Sequence, residues 1–139
     1  MRRAKAEVYL HFVWATQGRQ PWLTPERTPP VYRCIVGVAE RLGCVVLAVG
    51  GMPDHVHPAV RLPPRLAVAQ LAQQVKGASS KLAGDLDRRE RFRWQEGYGV
   101  FSLSRPHLSK VIAYIESQPR HHSAGGRPWP DLEGTGEEV

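Results

Sequence analysis

Hydrophobic and polar positions divide the chain into strands and helices of ordinary length. From Glu7 to Ala15 the run EVYLHFVWA is β-branched and aromatic with partial alternation, which predicts a first strand. QGRQPWLTPER is a loop by its glycine and prolines. A helix is expected from about Thr28 to Leu42, with Pro29 and Pro30 tolerable only in its first turn and Gly43 as its stop. CVVLAVGGM reads as a second strand, and Pro53-Asp54 turns the chain into a third, His55 to Leu62, so that the two form an antiparallel hairpin. Between Val68 and Leu86, Val68, Leu71, Ala72, Val75, Leu82 and Leu86 recur at three- and four-residue steps and mark one stripe of a long helix. YGVFSLS is a fourth strand. Ser104 then sits as an N-cap before Pro106 and opens a last helix to about Gln118. The order β-α-β-β-α-β-α predicts an α+β fold: a split βαβ, ferredoxin-like antiparallel sheet with helices on it, plus a C-terminal helix.

Composition narrows the class. A chain of 139 residues fits one domain, and 42% hydrophobic with 23% charged residues is the balance of a water-soluble globular protein. No apolar run of about 18 residues is present to span a bilayer. MRRAKAEVYL passes from positive charge straight into a strand pattern, without a signal peptide's apolar block, and a cytoplasmic location is expected. Cys34 and Cys44 lack metal or redox spacing and read as buried free thiols. The net charge of +6 conceals an asymmetry: residues 1–122 hold 18 basic and 9 acidic side chains, while residues 123–139 hold four acids against Arg127. The expected organisation is therefore a basic folded domain, 1–122, and a flexible Gly/Pro-rich acidic tail, 123–139. A basic body favours a polyanionic partner.

The candidate chemistry starts at HVHP, residues 55–58. Alternate side chains of a strand share a face, so His55 and His57 project together with Cβ atoms about 6.5–7 Å apart, close enough for both imidazoles to meet one divalent ion. Neutral imidazole holds a metal near neutral pH, and a bound cation polarises a phosphoryl oxygen. In an isolated strand, H-x-H more often means two hydrogen-bonded histidines. The last helix adds weight to the metal reading. Leu108, Val111, Ile112 and Ile115 form its apolar stripe, and Tyr114 and Gln118, four apart, stack at the border of that stripe about 6 Å along the axis.

These motifs carry a resemblance. H-φ-H after MPD, a preceding HFVWAT followed by LTPE, a helix QLAQQVKGASSKL, then GYGVFSLS and YIESQ resemble the single-tyrosine HUH transposases of the insertion-sequence-200/605 group and their relatives associated with repetitive palindromes, in the family's order over nearly all of residues 8–122. The resemblance implies that residues 1–122 are an HUH transposase-like catalytic domain. It also implies that His55, His57 and Gln118 bind a Mg²⁺ or Mn²⁺ ion. Tyr114 would be the nucleophile that cleaves single-stranded DNA near hairpins through a 5′-phosphotyrosine link, without ATP. The implied enzyme is a homodimer in which the tyrosine helix can serve the partner's histidines. His107 and His121 are nearby candidates for proton handling, though each reads more readily as a solvated surface group. A non-cleaving relative that only binds hairpin or single-stranded DNA, and an H-x-H phosphoesterase using water, are the alternatives.

RRERFRWQ, residues 88–95, interleaves Arg88, Arg89, Arg91 and Arg93 with Phe92 and Trp94, a composition in which guanidinium groups pair phosphates and rings stack on bases. A charged connector with both rings in the core fits it equally. Lys76 and Lys81, with Arg2, Arg3 and Lys5, extend the expected DNA surface. Pro58 departs from the resembled family, where leucine is commoner. A proline there implies an edge strand, an outward hydrogen-bonding slot or a distorted site. Because the tail is polar, glycine-rich and poor in core residues, deleting Ser123–Val139 is expected to leave the thermal midpoint unchanged within about 2 °C, as read by circular dichroism.

Overall fold

The structure, a computed structural model, describes residues 5–118; Arg2, Arg3, His121 and the acidic tail lie outside them. Strands β1 (Val8–Ala15), β2 (Val45–Met52), β3 (His55–Leu62) and β4 (Gly99–Leu103) form one antiparallel sheet in the order β2-β3-β1-β4. Helices α1 (Thr28–Arg41), α2 (Val68–Leu86) and α3 (Leu108–Glu116) complete the split βαβ fold that the sequence predicts. Pro29 and Pro30 occupy the first turn of α1, where a missing N–H costs no intrahelical bond. At the other end Gly43, at φ 96°, closes a Schellman motif: its N–H donates to Glu40 O at 3.0 Å, and that of Cys44 donates to Ala39 O at 3.0 Å. Of the two thiols, Cys44 is buried and Cys34 half-buried, and burial raises the pKa of both.

Alternation gives the sheet two unlike faces. Leu10, Phe12, Trp14, Val56, Val60 and Leu62 point toward α1 and α2 and build the main core with Val31, Ile35, Leu71 and Val75. Ala48 and Ala59 turn the other way and pack with Val111, Tyr114 and Ile115 of α3. The stripe on α2 is rotated from the expected one. Leu71, Ala72, Val75, Ser79 and Ala83 are buried, while Leu82 is half-buried and Leu86 exposed. The reason is the Trp94 indole: its N–H donates to Ser79 Oγ at 2.9 Å, and that hydroxyl donates to Val75 O at 2.6 Å. A small hydroxyl residue in the seam thus admits a large ring and satisfies it.

Two local expectations are corrected. Pro58 is not on an edge, since β3 lies between β2 and β1. The β1–β3 register runs from Val8↔Leu62 to His11↔Ala59 and resumes at Trp14↔Val56, leaving Phe12 and Val13 unpaired opposite Pro58 and His57. The missing donor falls in that gap, with a second irregularity between Val46 and Ala48 on the β2 side. The Pro58 ring lines a core cavity of about 10 Å³ with Phe12, Trp14, Leu71 and Val75. Ser104 stands at the N-cap position of a 3-10 turn and not of α3, and its hydroxyl caps no backbone N–H. A 3-10 turn, Arg105–His107, precedes α3, and the Ser104 hydroxyl is hydrogen-bonded to His107 Nδ1 at 2.5 Å.

The seat of α3 depends on Gly50. A Cβ at that position would lie 2.1 Å from the Ile115 carbonyl oxygen and 2.9 Å from its carbonyl carbon, so the backbone of α3 rests where a side chain would otherwise stand. Gly50→Ala is therefore expected to destabilise the fold by about 1–3 kcal/mol, a drop of several degrees in the thermal midpoint, because the obstacle is backbone that cannot rotate away.

Candidate active site

β3 presents His55 and His57 on the α3 face, and both are buried, at 2% and 0% exposure. Gln118, just beyond α3 and fully buried, places its amide between them: Nε2 lies 2.6 Å from His55 Nε2 and 2.8 Å from His57 Nε2. The far nitrogens are also engaged. His55 Nδ1 is 2.6 Å from Asp54 Oδ1, and His57 Nδ1 is 2.8 Å from Nε2 of His11, a fully buried residue of β1. One protonation pattern satisfies all four bonds. Each Nδ1–H donates outward, to the carboxylate or to His11, and each Nε2 keeps a lone pair aimed at the Gln118 amide, which donates to both.

Asp54 is further tied to Arg19, whose Nε donates to Oδ2 at 3.3 Å. Its carboxyl is held below the usual carboxylate range, first by the His55 hydrogen bond and then by the charge and hydrogen bond of Arg19, against the opposing effect of partial burial. Ligating histidines characteristically have the second nitrogen anchored in this way. Two Nε2 lone pairs with a neighbouring amide, which has an oxygen to offer when turned, fit a divalent cation that keeps positions open for phosphate oxygens. Among the described residues no three His, Cys, Asp or Glu side chains gather to hold an ion.

Tyr114 sits deeper than the sequence predicts. It is 2% exposed, on the buried face of α3 beside Val111 and Ile115 and not at its border, with its ring edge-on to His57 at a centroid distance of 6.1 Å. The chain's own α3 brings Tyr114 and Gln118 to the chain's own histidines. His107 is exposed and bonded to Ser104, while His121 lies outside the described residues.

The expected DNA surface divides. Arg88, Arg89, Arg91 and Arg93 are exposed, as are Lys81 and Lys5. Trp94 is not available to stack on a base: it is 6% exposed, edge-on to Trp14 at 5.9 Å and Phe92 at 4.8 Å, with its N–H committed to Ser79. Lys76 is also diverted. Its ammonium donates to Gln95 O at 2.8 Å and Gly97 O at 2.6 Å, and partial burial lowers its pKa. It pins the 95–97 loop to α2.

His11, Arg19, Asp54 and Arg27 are residues of structural or chemical weight that sequence reasoning missed. The signal for His11 was its parity: Leu10, Phe12 and Trp14 mark one face of β1 as core, which assigns His11 to the other. Arg27 is 3% exposed and donates to the carbonyls of Trp22, Ala83, Asp87, Glu90 and Arg91, with its guanidinium 5.3 Å from the Phe92 ring centroid. It holds the connector from which the exposed arginines project. No spacing rule announces a residue of that kind.

The family model described as "Transposase IS200 like" matches residues 4–118. The chain belongs to this family. Among curated proteins, the IS200-like chain is 25% identical over 127 residues to the ISDra2 transposase TnpA of Deinococcus radiodurans, covering 85% of this chain and 91% of the relative. It is 27% identical over 135 residues to the transposase for insertion sequence element IS200 of Salmonella typhimurium, covering 91% and 88%. Two solved structures share the fold. A Deinococcus radiodurans protein described as a transposase superposes with a TM-score of 0.68 at 23% identity, covering 85% of this chain and 98% of that one. A REP-associated tyrosine transposase bound to a REP hairpin gives 0.67 at 17% identity, covering 88% and 73%. No helix among the described residues of this transposase is long and apolar enough to cross a membrane.

The division of the basic block predicts unequal costs. Trp94→Ala should lower stability by about 3–5 kcal/mol in urea unfolding, since it empties a core position and removes the N–H that Ser79 Oγ accepts. Arg93→Ala should stay within about 0.5 kcal/mol.

Proposed function

We propose that this IS200-like transposase cleaves and rejoins single-stranded DNA next to a folded hairpin through a covalent link to Tyr114. The observation that carries the reading is the convergence of His55 Nε2, His57 Nε2 and the Gln118 amide within hydrogen-bond distance of one another, with the Tyr114 ring packed against His57. In the proposed step Tyr114 Oη attacks the phosphorus. The P–O3′ bond breaks, the departing oxygen takes up a proton to become a 3′-OH, and the phenol proton leaves to solvent. The 5′-phosphotyrosine ester keeps the phosphodiester energy, so rejoining by a 3′-OH needs no ATP.

A Mg²⁺ or Mn²⁺ ion held by His55, His57 and Gln118 would supply positive charge to the phosphoryl oxygens. The chain's own contribution is positional. Asp54 and His11 fix the tautomers of the two imidazoles, and α3 carries the nucleophile while the chain just past its C-cap delivers the amide. A phenol of ordinary pKa near 10 benefits from that concentration of positive charge. The hairpin enters by analogy with the REP-associated relative, whose solved complex contains one, and the exposed Arg88, Arg89, Arg91 and Arg93 suit its phosphates. The proposal includes a homodimer. β2 and β4 are the open edges of the sheet, where a second copy can add.

Incubating the purified chain with a hairpin-bearing single strand and Mn²⁺ should give a protein–DNA adduct that survives denaturation and is absent in EDTA. Tyr114→Phe should abolish the adduct while changing DNA affinity by less than about threefold. Cleavage without an adduct would support water-based phosphoesterase chemistry instead, and binding without cleavage would support a recognition role alone.

A further inference from the structure

The turn after β1 contains a conformation that its side chain does not explain locally. Gly18 and Arg19 both lie in the left-handed region, at φ 61° and 52°. Glycine adopts that region freely, but arginine is strained there, and left-handed residues other than Gly, Asn and Asp concentrate at functional positions. The neighbouring backbone holds the turn in place. Thr16 N donates to Asp54 O at 2.9 Å, Arg19 N to Thr16 O at 2.9 Å, Gln17 N to Arg93 O at 2.9 Å and Leu23 N to Pro53 O at 2.9 Å.

The strain delivers the Arg19 guanidinium to the rim of the histidine site. Nε donates to Asp54 Oδ2 at 3.3 Å, and Nη2 stands 3.3 Å from His55 Nδ1. That nitrogen is no acceptor for it, because its own hydrogen goes to Asp54 at the shorter distance of 2.6 Å. Nε is committed to Asp54, Nη2 meets no described group other than the already engaged His55 Nδ1, and Nη1 has no acceptor among the described residues. The side chain is 38% exposed, so this edge is open to a solute. A planar pair of N–H groups, one imidazole ring from the point where the Nε2 atoms converge, matches two oxygens of a phosphate.

We infer that Arg19 binds a non-bridging oxygen of the phosphate under attack and stabilises the charge that builds there in the transition state. The inference rests on the strand-cleaving reading above and adds a substrate contact to it. Asp54 has two tasks in this arrangement: one oxygen orients His55 and the other aims Arg19. Arg93, exposed and with its carbonyl accepting from Gln17 N of the same turn, adds a second cation to this segment.

The test uses the full chain with Arg19→Gly, which suits the left-handed position and should keep or raise the thermal midpoint, and Arg19→Lys. Arg33→Gln, exposed on α1 away from the α3 face, is the control for loss of charge. Binding of a labelled hairpin-bearing single strand is measured in EDTA across a salt series, single-turnover cleavage with Mn²⁺, and Mn²⁺ affinity without DNA by electron paramagnetic resonance. For Arg19→Gly the slope of log K against log salt should fall by about 0.7, the value for one phosphate contact on a single strand. Cleavage should fall on the order of 100–1000-fold with Mn²⁺ affinity unchanged. Arg19→Lys should keep the slope and recover part of the rate, and Arg33→Gln should match the parent chain.

An unchanged slope in Arg19→Gly, or Mn²⁺ affinity falling in step with the rate, would overturn the inference, the latter because Arg19 would then act through Asp54 and His55. A reduced slope with full cleavage would overturn it too, by moving the contact to a remote phosphate. If the parent chain itself fails to cleave, the proposed function fails. The slope then decides whether Arg19 meets a phosphate at all.

Discussion

Where β2 carries Gly50, the backbone of α3 settles onto the sheet at a distance that any side chain would prevent. That contact fixes the height and rotation of α3, and with them the depth at which Tyr114 and Gln118 meet β3. Gly50 is paired with His57 across the β2–β3 ladder, so the residue that admits the helix is the neighbour of the residue the helix must reach. The hydrogen bonds of Gln118 to both imidazoles follow from that seat. They need an amide placed to within a few tenths of an ångström, which only a rigid, closely packed helix delivers.

Around this contact the polar groups form an ordered series, in which each buried donor fixes the role of the next atom. Asp54 assigns the proton of His55, His11 assigns that of His57, and the two remaining lone pairs point at one place. Such a series is costly to build in an interior, because a group that loses its partner pays the full desolvation penalty. Its position between the sheet and α3, away from the apolar core on the other face, lets the fold carry it without interrupting the packing of Phe12, Trp14, Ile35 and Val75.

The features legible in the sequence are those that repeat with the period of one element. Alternation exposed the strands and put His55 and His57 on a common face. Three- and four-residue spacing joined Tyr114 to Gln118. What escaped depends on how elements meet. His11 faces His57 only through the β1–β3 register, and Arg19 reaches Asp54 only because a strained turn folds back on the β2–β3 connection. Trp94 illustrates a different blindness. Rings set among arginines read the same whether they face a nucleic acid or a core, and a serine on α2, which no apolar pattern marks, decides for the core. Pro58 misled for a related reason. The rule that keeps proline to sheet edges counts donors, and here the ladder is already open on the side where a donor would be needed.

Arg27 gives the arginine-rich connector a property that its surface residues lack. Its donors go to carbonyl oxygens, one of them in the last turn of α2, so the charge of this almost wholly buried side chain is offset by fixed dipoles. In the proposed function the exposed arginines beside it would act by displacing counterions, an effect that ionic strength suppresses. Architecture and adhesion in this segment therefore respond to different variables. On that reading, rising salt loosens the connector's hold on a polyanion without changing its shape, and falling salt lets it rebind without having to refold.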